Sequence, residues 1–123
     1  MANPPTAVIS IVDDDASVGE ATGSLLRANG FTVATFPSAA LFLASPERNR
    51  TTLLILDVCM PVMAGTELFR LLKQEKRPIP TLFITGHGTE QDRDEALAAG
   101  ALGYLTKPFT EEELLAVVRR VIH

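Results

Sequence analysis

Residues 7–15 read AVISIVDDD, a short and nearly continuous apolar run followed by three aspartates. Such a run is typical of a parallel strand that is covered on both faces of its sheet. The runs at 53–56 (LLIL) and 81–84 (TLFI) have the same character, and shorter patterns at 31–36 and 101–105 bring the set to five. Their lengths favour strands over helices.

Helical patterns separate the five runs. The first helix begins either at Asp15, as its N-cap, or at a capping box that joins Ser17 and Glu20, and it ends before Asn29-Gly30. Four further helical segments are predicted: residues 38–44, the segment around Leu68–Leu72, residues 90–99, and a segment that a second capping box begins at Thr110.

Alternation of strands and helices predicts a parallel sheet with right-handed crossovers and helices on both faces. The 123 residues suffice for one domain, so we predict an α/β fold in one domain over residues 1–123. For five strands the expected architecture is a flavodoxin-like (βα)5 three-layer sandwich with strand order 2-1-3-4-5. This order is the one adopted by known sheets of this size, and the residues alone do not determine it.

The composition excludes several classes of protein. Apolar residues make up 46% of the chain and charged residues 21%, which is ordinary for a globular domain. A single cysteine excludes an intramolecular disulfide and favours a reducing compartment. The net charge of −4 argues against direct nucleic-acid binding by this domain. No apolar run is long enough for a membrane helix and the N-terminus does not resemble a signal peptide, so we expect a cytoplasmic protein.

Polar side chains follow four of the predicted strands. The first strand leads into Asp13–Asp15, the third into Asp57, the fourth into Thr85 and the fifth into Lys107. Because the carboxyl ends of parallel strands meet at one edge of a sheet, where such folds bind ligands, we expect these side chains to converge. Clustered carboxylates favour a hard divalent cation, Mg²⁺ above all.

Each of these residues also fits an ordinary structural role. Asp13–Asp15 fit a solvated loop that supplies an N-cap, and Asp57 fits a residue that leads into a helix. Thr85 fits an ordinary turn hydroxyl, and Lys107 fits an exposed charge that aids solubility. The convergence of these side chains would be a coincidence only if all four strand ends carried such structural roles at once. A carboxylate beside a cation, an ammonium and a hydroxyl can instead hold a transferring phosphoryl group and accept it.

The sequence resembles the receiver domain of bacterial two-component response regulators over essentially its whole length. Residues 57–65 (DVCMPVMAG) match the pattern D-x-x-M-P-x-M-x-G, and residues 12–18 (VDDDASV) and 83–88 (FITGHG) look most like the FixJ-type group. Tyr104 and Lys107-Pro108 follow at spacings similar to those of the family.

The resemblance implies a role for each matched residue. Asp57 accepts a phosphoryl group from a sensor kinase phosphohistidine. Mg²⁺ is bound directly by Asp14 and Asp57, more weakly by Asp13, and by the backbone carbonyl of Cys59. The resemblance also assigns roles to four further residues: Lys107 pairs with the phosphoryl group or with Asp57, Thr85 moves toward the phosphoryl group, Tyr104 turns inward in response, and the peptide bond before Pro108 is cis.

The resemblance also implies partners and a type of activity. The domain is expected to be a switch that assists its own phosphorylation and dephosphorylation, rather than an enzyme. Expected partners are a sensor histidine kinase, a C-terminal DNA-binding output domain that this chain lacks, and a second copy in a phosphorylation-dependent homodimer. Residues 89–95 are unusually acidic, which weakens the prediction of the family's usual dimer face and leaves Ala96, Leu97 and Ala99 as the buried stripe of the fourth helix.

Two other functions remain open from the residues. One is a haloacid-dehalogenase-like phosphatase, in which Asp13 and Asp15 would supply the nucleophile and its partner; it leaves Asp57 without a role and the chain without a cap domain. The other is an unphosphorylated pseudo-receiver that acts as a binding module. It would be expected to lack Asp57, Lys107 or Thr85, all of which are present.

Overall fold

Strands and helices alternate along the chain, as the apolar runs predict. The structure, a computed structural model, describes residues 7–58, 64–76 and 78–122. The described strands are β1 (Val8–Val12), β2 (Thr32–Phe36), β3 (Thr51–Asp57), β4 (Thr81–Thr85) and β5 (Gly103–Thr106). The described helices are α1 (Ala16–Ala28), α2 (Ala39–Ala44), α3 (Gly65–Gln74), α4 (Glu90–Ala98) and α5 (Glu111–Val118).

The strands form one parallel sheet in the order β2-β1-β3-β4-β5, which confirms the predicted flavodoxin-like topology. Two apolar clusters lie on opposite faces of the sheet. One packs β-strand side chains against α2, α3 and α4, and the other packs them against α1 and α5. The sheet is therefore the middle of three layers, and its carboxyl edge is left open to ligands.

Several element boundaries differ from the predicted ones. Asp15 is the N-cap of α1 and accepts hydrogen bonds from the backbone N–H groups of Ser17 and Val18, so the alternative capping box at Ser17 was wrong. The strand β3 begins two residues before the predicted Leu53, and β5 begins two residues after Ala101. A short 3-10 helix at Pro46–Asn49 was not predicted, although a proline at a first helical position is its ordinary signal.

The prediction for α4 needs a larger correction. Within residues 90–98, all of which are described, Ala96 is the one buried residue. Leu97 is 38% exposed and Ala99, just past the helix, is exposed as well, so the expected three-residue stripe reduces to a single methyl group. Among the described residues, no helix combines the length and the apolar character needed to cross a bilayer.

Candidate functional site

Three carboxylates meet at the carboxyl edge of the sheet. Asp13 directly follows β1, Asp57 ends β3, and Asp14 comes next along the chain after Asp13. One oxygen of each lies within 4.8 Å of an oxygen of the other two. Asp13 and Asp57 are only 3% and 6% exposed, whereas Asp14 is exposed. The cluster therefore has a buried floor and one solvent-facing acid.

Both oxygens of Asp13 are engaged by the protein. Its Oδ1 accepts a hydrogen bond from the backbone N–H of Asp15 at 2.9 Å, and its Oδ2 lies 3.5 Å from the Nζ of Lys107. The backbone N–H of Asp13 also donates to the carbonyl of Phe36 at 3.1 Å. These contacts fix the side chain at the end of β1 and leave it less available to an added ligand than Asp14.

Lys107 directly follows β5, which lies two strands away from β3 in the sheet. Its backbone N–H donates to the carbonyl of Thr85 at 2.7 Å, which extends the β4–β5 ladder by one residue. The peptide bond to Pro108 is cis, as the resemblance implies. The ammonium thus lies beside the Asp13 carboxylate and offsets part of the repulsion within the acidic cluster.

Thr85 ends β4 with its side chain almost completely buried. Its Oγ1 accepts a hydrogen bond from the backbone N–H of His87 at 3.2 Å. Because a hydroxyl can accept and donate at once, this bond leaves the O–H of Thr85 able to donate to an anionic oxygen. The loop that leads to α4 is thereby attached to the hydroxyl at the end of β4.

Tyr104 lies on β5 next to the start of α4. Its half-buried ring is 6.5 Å, centroid to centroid, from the ring of Phe83. A Cβ at Gly88 would stand 2.6 Å from both Cε1 and Oη of Tyr104 and 2.7 Å from Cγ2 of Thr85. The ring therefore occupies space that only a glycine at this position leaves free.

A second glycine lies against the backbone of Asp57. A Cβ at Gly65, the first residue of α3, would stand 2.4 Å from the carbonyl oxygen of Asp57. The backbone N–H of Gly65 donates to the carbonyl of Val58 at 3.2 Å. The role of both glycines was missed from the sequence, although Gly65 is the last residue of the D-x-x-M-P-x-M-x-G pattern. Cys59, whose carbonyl the resemblance assigns to the metal, lies outside the described residues.

The donor set fits a hard divalent cation. Its donors are three carboxylates, so all its ligand atoms are oxygens, and two of these side chains are held in place by burial. Oxygen donors of this kind suit Mg²⁺ or Ca²⁺ and disfavour the softer transition metals. The acidic cluster could therefore hold a metal ion, and charge neutralisation provides the physical reason.

Comparison with known protein families identifies the family to which the chain belongs. A family model described as the response regulator receiver domain matches residues 9–119. The chain belongs to this family. It is therefore a signalling switch of the two-component systems. The phosphatase alternative falls, because Asp57 lies within the acidic cluster and Asp15 instead caps α1.

Individual relatives agree with this membership. The receiver is 46% identical to the response regulator protein TodT of Pseudomonas putida over 94% of this chain. It is 38% identical to the transcriptional regulatory protein FixJ of Rhizobium meliloti over 91% of this chain. These alignments cover 51% and 55% of the two relatives, so the chain spans about half the length of the curated proteins it matches.

A solved structure agrees with the fold as well. The response regulator receiver protein from Burkholderia phymatum superimposes with a TM-score of 0.80 at 41% identity, over 94% of each chain. The similarity to FixJ also confirms the expected resemblance to that group of receivers.

Proposed function

We propose that this receiver accepts a phosphoryl group on Asp57 from a phosphohistidine of a sensor histidine kinase. The observation that carries the proposal is the meeting of three carboxylate oxygens within 4.8 Å, with an ammonium 3.5 Å from one of the acids. Of the three acids, Asp57 lies on the central strand β3, between the acidic pair and the β4–β5 side of the site.

In the transfer, a carboxylate oxygen of Asp57 attacks phosphorus. The P–N bond of the phosphohistidine breaks, its electron pair remains on the imidazole nitrogen, and a P–O bond to Asp57 forms. The ammonium of Lys107 stabilises negative charge on the phosphoryl oxygens, and the hydroxyl of Thr85 donates to one of them. Attack of water on the same phosphorus later releases inorganic phosphate and restores the carboxylate.

The proposed metal is Mg²⁺. Asp14 and Asp57 would hold it directly, together with the backbone carbonyl of Cys59, and Asp13 would assist. The weaker part of Asp13 is supported by its two engaged oxygens, since one accepts from Asp15 and the other lies beside Lys107. When bound, the cation supplies positive charge that offsets the phosphoryl oxygens and relieves repulsion among the carboxylates.

Phosphorylation is proposed to act on the face formed by α4, β5 and α5. The new group adds up to about two negative charges at the end of β3, and Thr85 is drawn toward it. Thr85 and Tyr104 both lie against Gly88, so displacement of the threonine frees space into which the Tyr104 ring turns. The domain thereby acts as a switch that assists its own phosphorylation and dephosphorylation, rather than as an enzyme with an external substrate.

We further infer the setting in which this switch works. Residues 1–123 are proposed to form one receiver domain in a cytoplasmic regulator whose output is a C-terminal DNA-binding domain. The half-length match to relatives and the printed name of FixJ, a transcriptional regulatory protein, support that inference. A phosphorylation-dependent homodimer is the corresponding proposal for assembly.

The direct test of the acceptor is incubation with acetyl phosphate, with and without Mg²⁺, followed by intact mass measurement. We expect one phosphoryl group per chain, dependent on Mg²⁺ and lost in Asp57→Asn. The matched control is Asp94→Asn, which removes the same charge from an exposed position on α4. Undiminished labelling of Asp57→Asn would reject the assignment and favour the pseudo-receiver or another acceptor.

A second test addresses the metal. Because Mg²⁺ binds the assembled carboxylates of the native state, it should raise the midpoint of thermal unfolding. Asp14→Ala should abolish that rise, and because Asp14 is exposed the variant should still fold. Relief of like-charge repulsion is expected to raise the stability of its metal-free form. The account is wrong about Asp14 if the variant keeps the full Mg²⁺-induced shift.

A further inference from the structure

The helix α4 has few contacts of its own with the core. Its sequence, EQDRDEALA, has four acidic residues and buries only Ala96 among residues 90–98, all of them described. An open groove of about 700 Å³ separates it from α3, with Phe69 and Phe83 on the floor. Apolar packing between α4 and α3 is therefore sparse, which leaves a role for polar contacts across the groove.

A lysine of α3 crosses this groove. The Nζ of Lys73 donates a hydrogen bond to the carbonyl oxygen of Ala99, the C-cap of α4, at 2.5 Å. The same ammonium lies 5.5 Å from the centroid of the Phe69 ring, within the range of a cation–π contact. Lys73 is thus held on its own helix by an aromatic face while its charge reaches the end of the next one.

The carbonyl at the end of α4 is a favourable acceptor for that charge. The backbone N–H groups of Gly100 and Ala101 donate to Leu97 and Ala96 and close the last turn, with Gly100 in the left-handed region at φ +105°. The sequence places no basic residue in the last turn of α4. Lys73 therefore supplies the cation that favours a helix C-terminus, and it does so from another helix.

We propose that Lys73 is a positioning residue of the switch, which ties the C-terminus of α4 to α3 in the unphosphorylated receiver. This inference rests on the proposed function in one respect, the change that phosphorylation of Asp57 makes in the face formed by α4, β5 and α5. We assign the tie to the unphosphorylated arrangement alone, because a contact biases a two-state equilibrium only when the two states differ in it. Lys73 then sets how readily the receiver switches, without touching the phosphoryl group.

The test compares Lys73→Met, which keeps the stem and loses the charge, with Lys73→Arg, which keeps the charge. Lys76→Met, which removes an exposed cation just past α3 that does not line the groove, is the matched control. In the unphosphorylated protein, amides of α4 should exchange about three- to tenfold faster in Lys73→Met. They should stay within about twofold of the wild type in Lys73→Arg and Lys76→Met. Equal exchange in all four proteins would overturn the proposal.

A second measurement separates a switch role from simple helix capping. After treatment with acetyl phosphate and Mg²⁺, the amides of α4 in phosphorylated Lys73→Met should exchange within about twofold of those in the phosphorylated wild type, because the tie is already broken there. A difference of about three- to tenfold that persists between the two phosphorylated proteins would mean that Lys73 only caps α4 in both states, and would overturn its role in the switch. Failure of the wild type to label at Asp57 would instead overturn the proposed function, while the exchange comparison would still decide whether Lys73 holds α4.

Discussion

The helices α4 and α5 flank β5 and begin in the same way, yet the core holds them differently. Each starts after a threonine whose hydroxyl accepts a hydrogen bond from the backbone N–H of the N3 residue. The N3 carboxylate in turn accepts from the backbone N–H of the threonine. The pairs are Thr89 with Asp92, and Thr110 with Glu113. The helix α5 buries Leu114, Leu115 and Val118, whereas α4 buries Ala96.

The difference shows that the start of a helix and its attachment to the core depend on different residues. Capping residues decide where a helix begins, because they satisfy backbone groups that the first turn leaves without partners. Buried apolar side chains decide how firmly it is held, because burial removes area from water. In the receiver, α5 has both and α4 has the first alone, so α4 can change position at a lower cost in free energy.

The largest effect on the free energy of unfolding is expected from the buried apolar side chains that hold α5 to the core. Leu114→Ala should lower the free energy of unfolding by about 2–5 kcal/mol, because the leucine is completely buried on α5. Leu97→Ala on α4 should cost less than about 1 kcal/mol, because that side chain is 38% exposed. Urea unfolding of the two variants measures the contrast. Similar losses would mean that α4 is anchored as firmly as α5.

A smaller effect is expected from the glycine beneath the aromatic ring. Gly88→Ala should displace the ring of Tyr104, since the new methyl group cannot remain 2.6 Å from it and the buried Thr85 leaves no room on the other side. Overpacking of this kind costs about 1–3 kcal/mol. Tyr104 is the only tyrosine and the chain has no tryptophan, so tyrosine fluorescence reports its surroundings.

The control for this prediction lies in the same loop. A Cβ at Gly86 would meet nothing within 4 Å among the described residues, so Gly86→Ala should leave the fluorescence of Tyr104 unchanged. Equal spectra for the Gly88→Ala and wild-type proteins would show that the ring does not depend on the space that Gly88 leaves.

The smallest effect concerns the caps. Thr89→Ala and Thr110→Ala each remove one side-chain hydrogen bond to a helix start, worth about 1 kcal/mol. On α5 we expect the loss in the global free energy of unfolding, because that helix unfolds with the core. On α4 it should appear mainly as faster local hydrogen exchange. A global loss from Thr89→Ala equal to that from Thr110→Ala would contradict the distinction, and serine at either position should restore the wild-type behaviour.

Much of this architecture is predictable from residues alone. The runs at 7–12 and 81–84 lie in central strands that are buried throughout, so their composition directly reflects their environment. The N-cap of α1 could not be assigned, because Asp15 and Ser17 both satisfy the local rule and only the direction of the chain after β1 chooses between them. Leu97 was misassigned because helical spacing does not reveal which face of a polar helix meets the core.

The functional site also has some features that are predictable from the sequence and others that are not. Convergence of Asp13 and Asp57 is predictable, since it needs only the strand order and the end of each strand. The contacts of Gly65 with Asp57 and of Lys73 with Ala99 are not, because they join positions whose distance depends on how the helices pack on the sheet. No local signal marks Lys73, which reads as one exposed lysine among others.

The central claim is that phosphorylation of Asp57 changes α4 more than the firmly anchored elements. Hydrogen exchange of the receiver before and after acetyl phosphate treatment tests it directly. We expect altered exchange along residues 86–100 and around Tyr104, a smaller change in α5, and constant exchange in α2. Thr85→Ala should still accept the phosphoryl group but show a reduced response. A full response in Thr85→Ala, or a change in α2 as large as that in α4, would contradict the account.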